Sequence, residues 1–391
     1  MVHDVLIAGG GPVGASLALD LVQRGIQVQI LEARSPLGQP KVGLDPRTLA
    51  LNAGSIAYLQ KLGIWSFLAD KASAIQRIIV AEKGSQAATH FQAKTANDPM
   101  GVIVTSDALQ RALDAALAAR DVKIHYNTPL NNIEWTSGCA VAEGITTPLL
   151  IAADGRGSKA AAAAGLYPEV YDYGQKALVT VLSHPNPHHN TAVELFTPQG
   201  PVALLPMVGN FSALVWTDTP LRAQSFAALE KTWFEEALHR AVGESFLGRL
   251  VLETERLLYP LQRRVLPRLT TTRFAAVGDA GHRLHPLAGQ GLNLGLRDAA
   301  ALASIVAEAM HLGMDPGSEE VLRRYEHRRV ADISLMSTAT HGINAVFSSH
   351  YAVVRAGRRV ALRVVNALPP LGRLLTSHAM GDSIVARRSV Q

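Results

Sequence analysis

The stretch that decides the fold lies at residues 4–32 and reads DVLIAGGGPVGASLALDLVQRGIQVQILE. The apolar run at residues 4–8 predicts a strand, residues 15–24 have the spacing of a helix, and residues 26–31 predict a second strand. A glycine-rich turn joins the first strand to the helix, and Gly25 is expected to end that helix. The order of strand, turn, helix and strand predicts a βαβ unit.

The turn carries the spacing G-x-G-x-x-G, with glycines at Gly9, Gly11 and Gly14. In a dinucleotide-binding turn the first glycine permits the tight bend, the second lets backbone amides approach a pyrophosphate, and the third brings the helix close to the strand. Glu32 ends the second strand, where a carboxylate can accept hydrogen bonds from the ribose of an adenosine. A glycine-rich turn without a ligand is the alternative, and this motif alone does not distinguish FAD from NAD.

A second glycine-rich element, far along the chain, distinguishes the two cofactors. Gly278-Asp279 follows an apolar strand at residues 274–277, and residues 285–293 read HPLAGQGLN at the start of a strong helix. An aspartate at a strand end can bind the ribityl hydroxyls of a flavin. Glycines at a helix start expose amides to the pyrimidine end of the ring, where reduced flavin carries negative charge. A nicotinamide dehydrogenase has no need of this element, so the pair predicts FAD.

The remaining segments predict two interleaved domains. Residues 102–153 continue the α/β pattern, whereas residues 179–216 hold short β-type runs separated by Pro, Gly and Asn, as in an antiparallel sheet. We expect an α/β fold class, in which a Rossmann-like FAD-binding domain is interleaved with a mixed or antiparallel sheet domain, followed by a helical C-terminal region. The expected bounds are 1–72, 98–172 and 264–320 for the FAD-binding domain, 73–97 and 173–263 for the substrate-binding sheet domain, and 321–391 for basic, apolar C-terminal helices.

Composition restricts the compartment and the partners. The chain has one cysteine, Cys139, which excludes intramolecular disulfides and thiolate metal clusters. No uncharged apolar run reaches the roughly 18 to 20 residues of a membrane span. Residues 321–391 hold eleven arginines and carry +8, while the rest of the chain carries −3. We expect a cytoplasmic protein, peripheral on the inner membrane at most, whose C-terminal region meets an acidic partner or an anionic lipid surface. A solvated helix face is the alternative, and no motif indicates nucleic acid.

The second glycine-rich element resembles a motif of a known family. Residues 278–296 resemble the third conserved motif of the flavin-dependent aromatic hydroxylases related to p-hydroxybenzoate hydroxylase, and HPLAGQGLNLG is characteristic of the UbiH/UbiF/VisC group of ubiquinone-biosynthesis hydroxylases. The resemblance extends over nearly the whole chain, through DPRTLAL at 45–51, ADG at 153–155 with Ser158, GPVALLPM at 200–207 and the tail at 366–381. Residues 63–65 and 81–84 are most similar to UbiH. The family's arginine three residues after the serine is Ala161 here, so we assign no nicotinamide ligands.

The resemblance implies a p-hydroxybenzoate hydroxylase-like fold and a single-component monooxygenase. In such enzymes NADPH or NADH reduces FAD, reduced flavin and O2 form a C4a-hydroperoxide, and the aromatic ring attacks its distal oxygen. The implied substrate is a polyprenylated phenol of aerobic ubiquinone biosynthesis, similar to 2-polyprenyl-6-methoxyphenol, and other ubiquinone-biosynthesis or lipid-carrying proteins are candidate partners. Two alternatives stay open: an FAD-dependent reductase or dehydrogenase of an isoprenoid substrate, and a non-catalytic flavin-binding scaffold.

The motifs and the resemblance together single out cofactor-binding candidates. They are Gly9, Gly11, Pro12, Val13, Gly14, Glu32, Arg47, Arg111, Asp154, Asp279, Pro286, Gly289, Gln290, Gly291, Leu292 and Asn293. The resemblance implies that Arg47 lies beside the flavin and its pyrophosphate. For Arg111 a surface ion pair is the alternative. No phenol-activating base is evident, and His285 is a candidate acid or base with a structural hydrogen-bonding role as the alternative.

Other residues are candidates for the substrate pocket or for metal binding. Phe196, Leu204, Pro206 and Trp216 fall on predicted strands and are candidates to line an apolar pocket, with sheet core as the alternative. The pair His188-His189 has no further ligands at metal-binding spacing, so we expect a solvated turn and no metal site.

Overall fold

The computed structural model describes residues 4–38, 44–84, 88–95, 98–197, 200–243, 246–284 and 290–347, with side chains of the last helix described to residue 342. The strands within these ranges are β1 (Val5–Ala8), β2 (Val28–Leu31), β3 (Thr48–Asn52), β4 (Ser73–Ile75), β5 (Arg77–Glu82), β6 (Ala88–Gln92), β7 (Gly101–Thr105), β8 (Lys123–His125), β9 (Ile133–Trp135), β10 (Ala140–Ala142), β11 (Ile145–Thr147), β12 (Leu150–Ala152), β13 (Glu169–Ser183), β14 (Thr191–Thr197), β15 (Gly200–Pro206), β16 (Phe211–Asp218), β17 (Val251–Leu252), β18 (Leu257–Val265), β19 (Thr270–Thr271), β20 (Phe274–Ala276) and β21 (His282–Arg283). The α-helices are α1 (Pro12–Gln23), α2 (Ala53–Lys61), α3 (Ser106–Ala118), α4 (Lys159–Ala163), α5 (Pro220–Ala228), α6 (Lys231–Val242), α7 (Gln290–His311) and α8 (Glu319–Phe347).

The first sheet has six strands in the order β19-β20-β12-β1-β2-β8, and all its pairs except β19–β20 are parallel. Side chains alternate between its two faces. Val5 and Ile7 of β1 pack with α1, α3 and α7, whereas Leu6 and Ala8 pack with β10 and α4. A strand of a parallel sheet that is covered on both faces has apolar residues at successive positions, which explains the apolar run at residues 4–8. The predicted βαβ unit β1-α1-β2 is confirmed.

The second sheet has the order β21-β18-β13-β16-β15-β14-β5-β6, with β17 beside β13, and its pairs are antiparallel except β14–β5. One face, which we call the outer face, carries Leu204 and Trp216 and packs under α5 and α6. The opposite, inner face carries Ala192 and Ala213 and packs against Ile103 of β7. The inner face is therefore the one turned toward β7 and the first sheet's half of the molecule.

A three-stranded sheet, β3-β7-β4, connects the two halves. Leu51 of β3 is buried in the core that contains α1 and α7, while its neighbour Ala50 packs against the inner-face cluster. Successive residues of a strand point to opposite sides, so β3 contributes to both cores. The inner face and the start of α7 are thereby held on either side of one strand.

The predicted fold class is confirmed, including the helical C-terminal region through α8. The chain enters the second sheet at β5, returns to the first, and re-enters the second at β13, which is the expected interleaving. The residue bounds of the domains stay a prediction. β13 is much longer than the apolar run predicted at 179–182, because its exposed first half pairs with β18. No helix of the described residues is long and apolar enough to cross a membrane. Residues 348–391 lie outside the described ranges.

Candidate active site

The three glycines of the N-terminal turn have different surroundings. Gly9 has φ +103°, and a Cβ there would lie 2.4 Å from the carbonyl oxygen of Ala153. A Cβ on Gly14 would lie 2.0 Å from the Gly9 oxygen, so only glycine lets α1 approach the strand this closely. A Cβ on Gly11 would meet nothing within 4 Å. Gly9 and Gly14 are thus required by the protein's own packing, whereas Gly11 borders open space.

The N-terminus of α1 opens onto that space. Gly11 is the N-cap and Pro12 occupies the first turn, and no side chain caps the helix. The first amides of a helix have no intrahelical acceptor and carry partial positive charge. This arrangement can bind an anion such as a pyrophosphate.

Glu32 closes one side of the turn. Its Oε2 accepts a hydrogen bond of 2.7 Å from the Gly10 amide, and its Oε1 accepts one of 2.9 Å from the Arg34 amide. Burial raises the pKa of Glu32, but hydrogen bonds and charge from Arg34 outweigh it, and the net pKa is lowered. Glu32 is therefore an ionised acceptor beside the glycine turn.

The two glycine-rich elements meet at Val13. A Cβ on Gly278 would lie 3.1 Å from Val13 Cγ2, and a Cβ on Gly295 of α7 would lie 2.7 Å from the same methyl group. A Cβ on Gly295 would also lie 3.1 Å from the Gly278 Cα. The first turn of α1, the Gly278 turn and α7 are consequently in direct contact, close enough to touch one elongated cofactor.

Asp279 lies beside this contact in a short 3-10 turn at Gly278–Ala280. Its side chain is accessible to solvent, yet burial raises its pKa, against the opposing effect of Arg283, His282 and Arg156. A group that touches solvent while protein surrounds it lies in a concave cleft. Asp279 Oδ1 lies 3.9 Å from where a Cβ on Gly291 would stand, so the aspartate faces the first turn of α7.

Asp154 lies beneath the first turn, since its Cα is 2.7 Å from the position of a Cβ on Gly9. Its Oδ2 accepts hydrogen bonds from the amides of Lys159 and Ala160 at the start of α4. Its Oδ1 is buried and has no hydrogen-bond partner among the described residues. One oxygen of Asp154 thus supports α4, and the other is available to a ligand.

Arg47 and Arg111 both form ion pairs with nearby aspartates. Arg47 Nε lies 3.0 Å from Asp45 Oδ1, and Arg111 Nε lies 2.7 Å from Asp107 Oδ2. The neighbour of Arg111, Gln110, donates a hydrogen bond of 2.8 Å to the Gly10 carbonyl oxygen, so α3 adjoins the glycine turn. Arg111 forms the surface ion pair that was the alternative to pyrophosphate binding. Its side chain would have to turn away from Asp107 to reach a pyrophosphate.

The remaining cofactor-binding candidates, at and before the start of α7, have different surroundings. Gln290 is buried, Gly291 faces Asp279, and Leu292 packs against the core. Asn293 is buried: its Oδ1 accepts hydrogen bonds from the Asn52 amide and the Ser55 hydroxyl, and its Nδ2 donates to Ala50. Its side chain holds β3 and α2 against α7. His285, Pro286 and Gly289 lie outside the described residues.

A buried network that the sequence reasoning missed supports the Gly278 turn. Asp298 of α7 accepts hydrogen bonds from the Gly278 amide (2.9 Å), His282 Nε2 (2.5 Å) and Arg329 Nε of α8 (2.6 Å). Burial raises the pKa of Asp298, but the charges of His282 and Arg329 lower it further, to about 2. The sequence signal that could have revealed this network is that His282 and Asp298 lie on either side of the second glycine-rich element.

The substrate-pocket candidates do not line one surface. Leu204 and Trp216 belong to the outer-face core, where Trp216 stacks on Phe226 at 4.4 Å between ring centroids. For these two the sheet-core alternative is what the structure shows, because even-numbered positions of β15 and β16 point to α5 and α6. Pro206 is buried, and it lies on the same face of β15 as Leu204 because the two are two residues apart. Phe196 alternates with Ala192 and so lies on the inner face.

The histidine pair also differs from expectation. His188 was expected to be solvated, but it is buried and its Nε2 donates a hydrogen bond of 2.7 Å to the Met207 carbonyl oxygen. Its Nδ1 accepts from the Asn190 amide, so the ring fixes the turn between β13 and β14. Within the described ranges no group of three or more His, Cys, Asp or Glu side chains could hold a metal ion.

Comparisons with known proteins agree with this geometry. Residues 2–339 match the FAD binding domain family. The chain is 35% identical over 388 residues to ubiquinone hydroxylase UbiL of Rhodospirillum rubrum, which covers 97% of this chain and 90% of that protein. It is 31% identical over 396 residues to 3-demethoxyubiquinol 3-hydroxylase of Escherichia coli strain K12, covering 97% and 98% of the two chains. The structure of p-nitrophenol 4-monooxygenase PnpA from Pseudomonas putida DLL-E4 shares the fold, with a TM-score of 0.79, 18% identity and coverage of 97% and 98%.

The fold, the family match and the named relatives together identify an FAD-dependent monooxygenase. The chain belongs to the FAD binding domain family and, within it, to the group that contains the ubiquinone-biosynthesis hydroxylases. The open space at Gly11 and the unpaired Oδ1 of Asp154 fit a bound FAD. Neither the reductase nor the scaffold alternative is favoured, since the relatives are named hydroxylases and monooxygenases. The closer similarity to UbiH stays a prediction.

Proposed function

We propose that this enzyme hydroxylates the aromatic ring of a polyprenylated phenol in aerobic ubiquinone biosynthesis, with O2 and NADPH or NADH as co-substrates. The names of its relatives support this substrate class, since two of them are named ubiquinone hydroxylase and 3-demethoxyubiquinol 3-hydroxylase. The observation that carries the proposal is the contact of Val13 with Gly278 and Gly295. This contact brings together the turn that we assign to the phosphates and the turn that we assign to the redox ring.

When bound, FAD would supply the activation of O2 with electrons from NADPH or NADH. We assign the pyrophosphate to the turn at Gly9–Gly14 and the adenosine ribose to Glu32. Asp279 would bind the ribityl hydroxyls, and the first turn of α7 would hold the pyrimidine end of the ring. We place Arg47, Arg111 and Asp154 around the pyrophosphate. Glu32, Asp154 and Asp279 already lie beside the two glycine-rich turns, whereas Arg111 would have to turn away from Asp107 to take this role.

The inner face of the second sheet suits an apolar aromatic substrate. Val80, Val179 and Val215 on this face are only half-buried, although β5, β13 and β16 are inner strands of the sheet. Apolar side chains that line an open space favour a substrate of the same character and exclude water from the reaction. The chain's own residues therefore orient the ring and limit unproductive release of hydrogen peroxide.

Labelled oxygen tests the proposed reaction. Purified holoenzyme with NADPH or NADH and a short-chain prenylphenol under 18O2 should give a product that carries one 18O atom on the ring. Turnover of the substrate without label would indicate a reductase. NAD(P)H oxidation that yields only hydrogen peroxide with several prenylphenols would contradict the substrate class.

The positive charge of the C-terminal region indicates where the enzyme would encounter such a substrate. We propose that residues 321–391, with a balance of +8, bring the enzyme to an anionic lipid surface or to a lipid-carrying protein. Cosedimentation with vesicles of anionic lipid, compared with neutral vesicles, tests the first source. Binding should weaken as salt rises. Equal binding to both vesicle types would contradict an electrostatic contact.

A further inference from the structure

A single carboxyl group interrupts an apolar row across the inner face. Five residues stand in direct register on neighbouring strands: Val179 of β13, Val215 of β16, Ala203 of β15, Glu194 of β14 and Val80 of β5. Residues opposite one another in a sheet point to the same side. Glu194 is therefore flanked by Ala203 and Val80, and the row continues apolar beyond Ala203.

Glu194 has no polar partner in this row. Its side chain is half-buried, and its carboxylate makes no hydrogen bond or ion pair with any described residue. Burial alone raises its pKa to about 7. The charged groups on this side, Glu82 of β5, Tyr259 of β18 and Arg47 ahead of β3, make no contribution to that rise. An unpaired carboxyl among apolar neighbours is costly, so its presence calls for a ligand that uses it.

The row faces the expected position of the flavin ring. Ala192, two residues before Glu194 on the same face, belongs to the cluster against which Ala50 of β3 packs. The Ala50 carbonyl oxygen accepts a hydrogen bond of 2.9 Å from Asn293 Nδ2, in the first turn of α7. One strand therefore separates the inner-face cluster from the helix start that we assign to the redox ring.

We propose that the row from Val179 to Val80 is a wall of the substrate pocket, and that Glu194 is the catalytic base that accepts the proton of the substrate's phenol. The inference rests on the proposed function and assigns the base that the sequence did not reveal. A phenolic ring would lie along the valines with its hydroxyl at Glu194.

The proton transfer is balanced within the protein and the substrate. The phenol O–H bond breaks, a Glu194 oxygen takes the proton, and the electron pair stays on the phenol oxygen. The resulting phenolate is more electron-rich at its ortho and para carbons, where the oxygen atom is added. A free phenol has a pKa of about 10, so a base that titrates near 7 receives the proton far more readily than an ordinary glutamate. Because Glu194 is partly accessible to solvent, the proton can return to solvent.

The test compares Glu194→Gln with the wild-type holoenzyme. We expect normal FAD content and a rate of flavin reduction by NAD(P)H within about two-fold of wild type. Hydroxylation of a short-chain prenylphenol should fall by roughly 100-fold or more, the usual contribution of a positioned base. The matched control is Glu236→Gln, an exposed glutamate paired with Arg240 on α6, which should leave every rate unchanged.

Substrates whose phenols differ in pKa distinguish a catalytic base from a structural residue at Glu194. A ring-fluorinated prenylphenol of lower pKa needs less help, so the deficit of Glu194→Gln should shrink at least ten-fold with it. The wild-type rate should rise with pH and level off above about 7, and Glu194→Asp should keep this inflection. The rate of Glu194→Gln should instead keep rising with pH toward the pKa of the free phenol, about 10. An unchanged hydroxylation rate in Glu194→Gln, or an equal deficit with both phenols, would overturn the assignment. Failure of the wild type itself to hydroxylate prenylphenols would instead overturn the proposed function, and the inference with it.

Discussion

Replacing two glycines of one turn should separate the needs of the fold from those of the cofactor. At Gly14 an alanine Cβ would stand 2.0 Å from the Gly9 carbonyl oxygen and 3.0 Å from the Ala153 Cβ. Both neighbours belong to the packed contact between α1 and the first sheet, so the helix itself must move by about 1 Å. Overpacking of this kind costs about 1 to 3 kcal/mol, and here the upper end applies because the obstacle is backbone.

At Gly11 the same substitution meets open space, and its φ of −66° suits alanine. Alanine is a poorer N-cap than glycine, but it also reduces the entropy of the unfolded chain, so the stability of the apoprotein should change by less than about 1 kcal/mol. The new methyl group would occupy the cradle of the pyrophosphate. We expect FAD affinity to fall at least ten-fold, which is about 1.4 kcal/mol.

Urea unfolding of the apoproteins and fluorescence titration with FAD measure the two effects. FAD at 100 times its wild-type dissociation constant should stabilise the wild type by about 2.7 kcal/mol and Gly11→Ala by about 1.4 kcal/mol or less. Gly14→Ala should already be destabilised without FAD. Equal loss of apoprotein stability in both variants, with FAD affinity retained by Gly11→Ala, would refute the reasoning.

The other predictions concern buried carboxylates. Asp298→Asn should lower stability at pH 7 by about 3 to 5 kcal/mol in thermal unfolding, because Arg329 loses its buried counter-charge, whereas Glu319→Gln on the exposed surface should cost less than about 1 kcal/mol. The pKa of Asp298 is lowered from 3.8 to about 2, so roughly 2 kcal/mol of stability present above about pH 4 is lost as the pH falls to 2; a wild type no more acid-sensitive than Asp298→Asn would contradict this. The pKa of Glu194 is raised from 4.5 to about 7, so its ionisation lowers stability as pH rises between these values. After a discount for solvent screening of this partly accessible side chain, Glu194→Gln should be more stable than the wild type by about 1 to 3 kcal/mol at pH 8 and equally stable near pH 4.5. Glu32→Gln should weaken FAD binding at least ten-fold in the same titration, since a neutral amide is a weaker acceptor than a carboxylate; unchanged affinity would remove Glu32 from the cofactor site.

The sequence by itself determined the βαβ unit and the placement of the glycine turn. Both follow from local rules, since the apolar period and the glycine spacing act over a few residues. It also predicted FAD, through a second glycine-rich element of recognisable wording. The spacing of Gly9 and Gly14 was visible in the sequence, but their close contacts with Ala153 at the end of a neighbouring strand became apparent only in the tertiary structure.

Only the tertiary structure decided which face each sheet residue occupies. Trp216 and Glu194 both lie on β-type runs, yet Trp216 packs under α5 and α6 while Glu194 lies on the inner face with Ala192. A shift of one residue in strand register exchanges the two faces, and register is set by pairing between strands distant in sequence. The same holds for Asn293, whose partners at Ala50 and Asn52 lie more than 200 residues away. Contacts of that kind depend on the assembled core, and no local pattern in the chain encodes them.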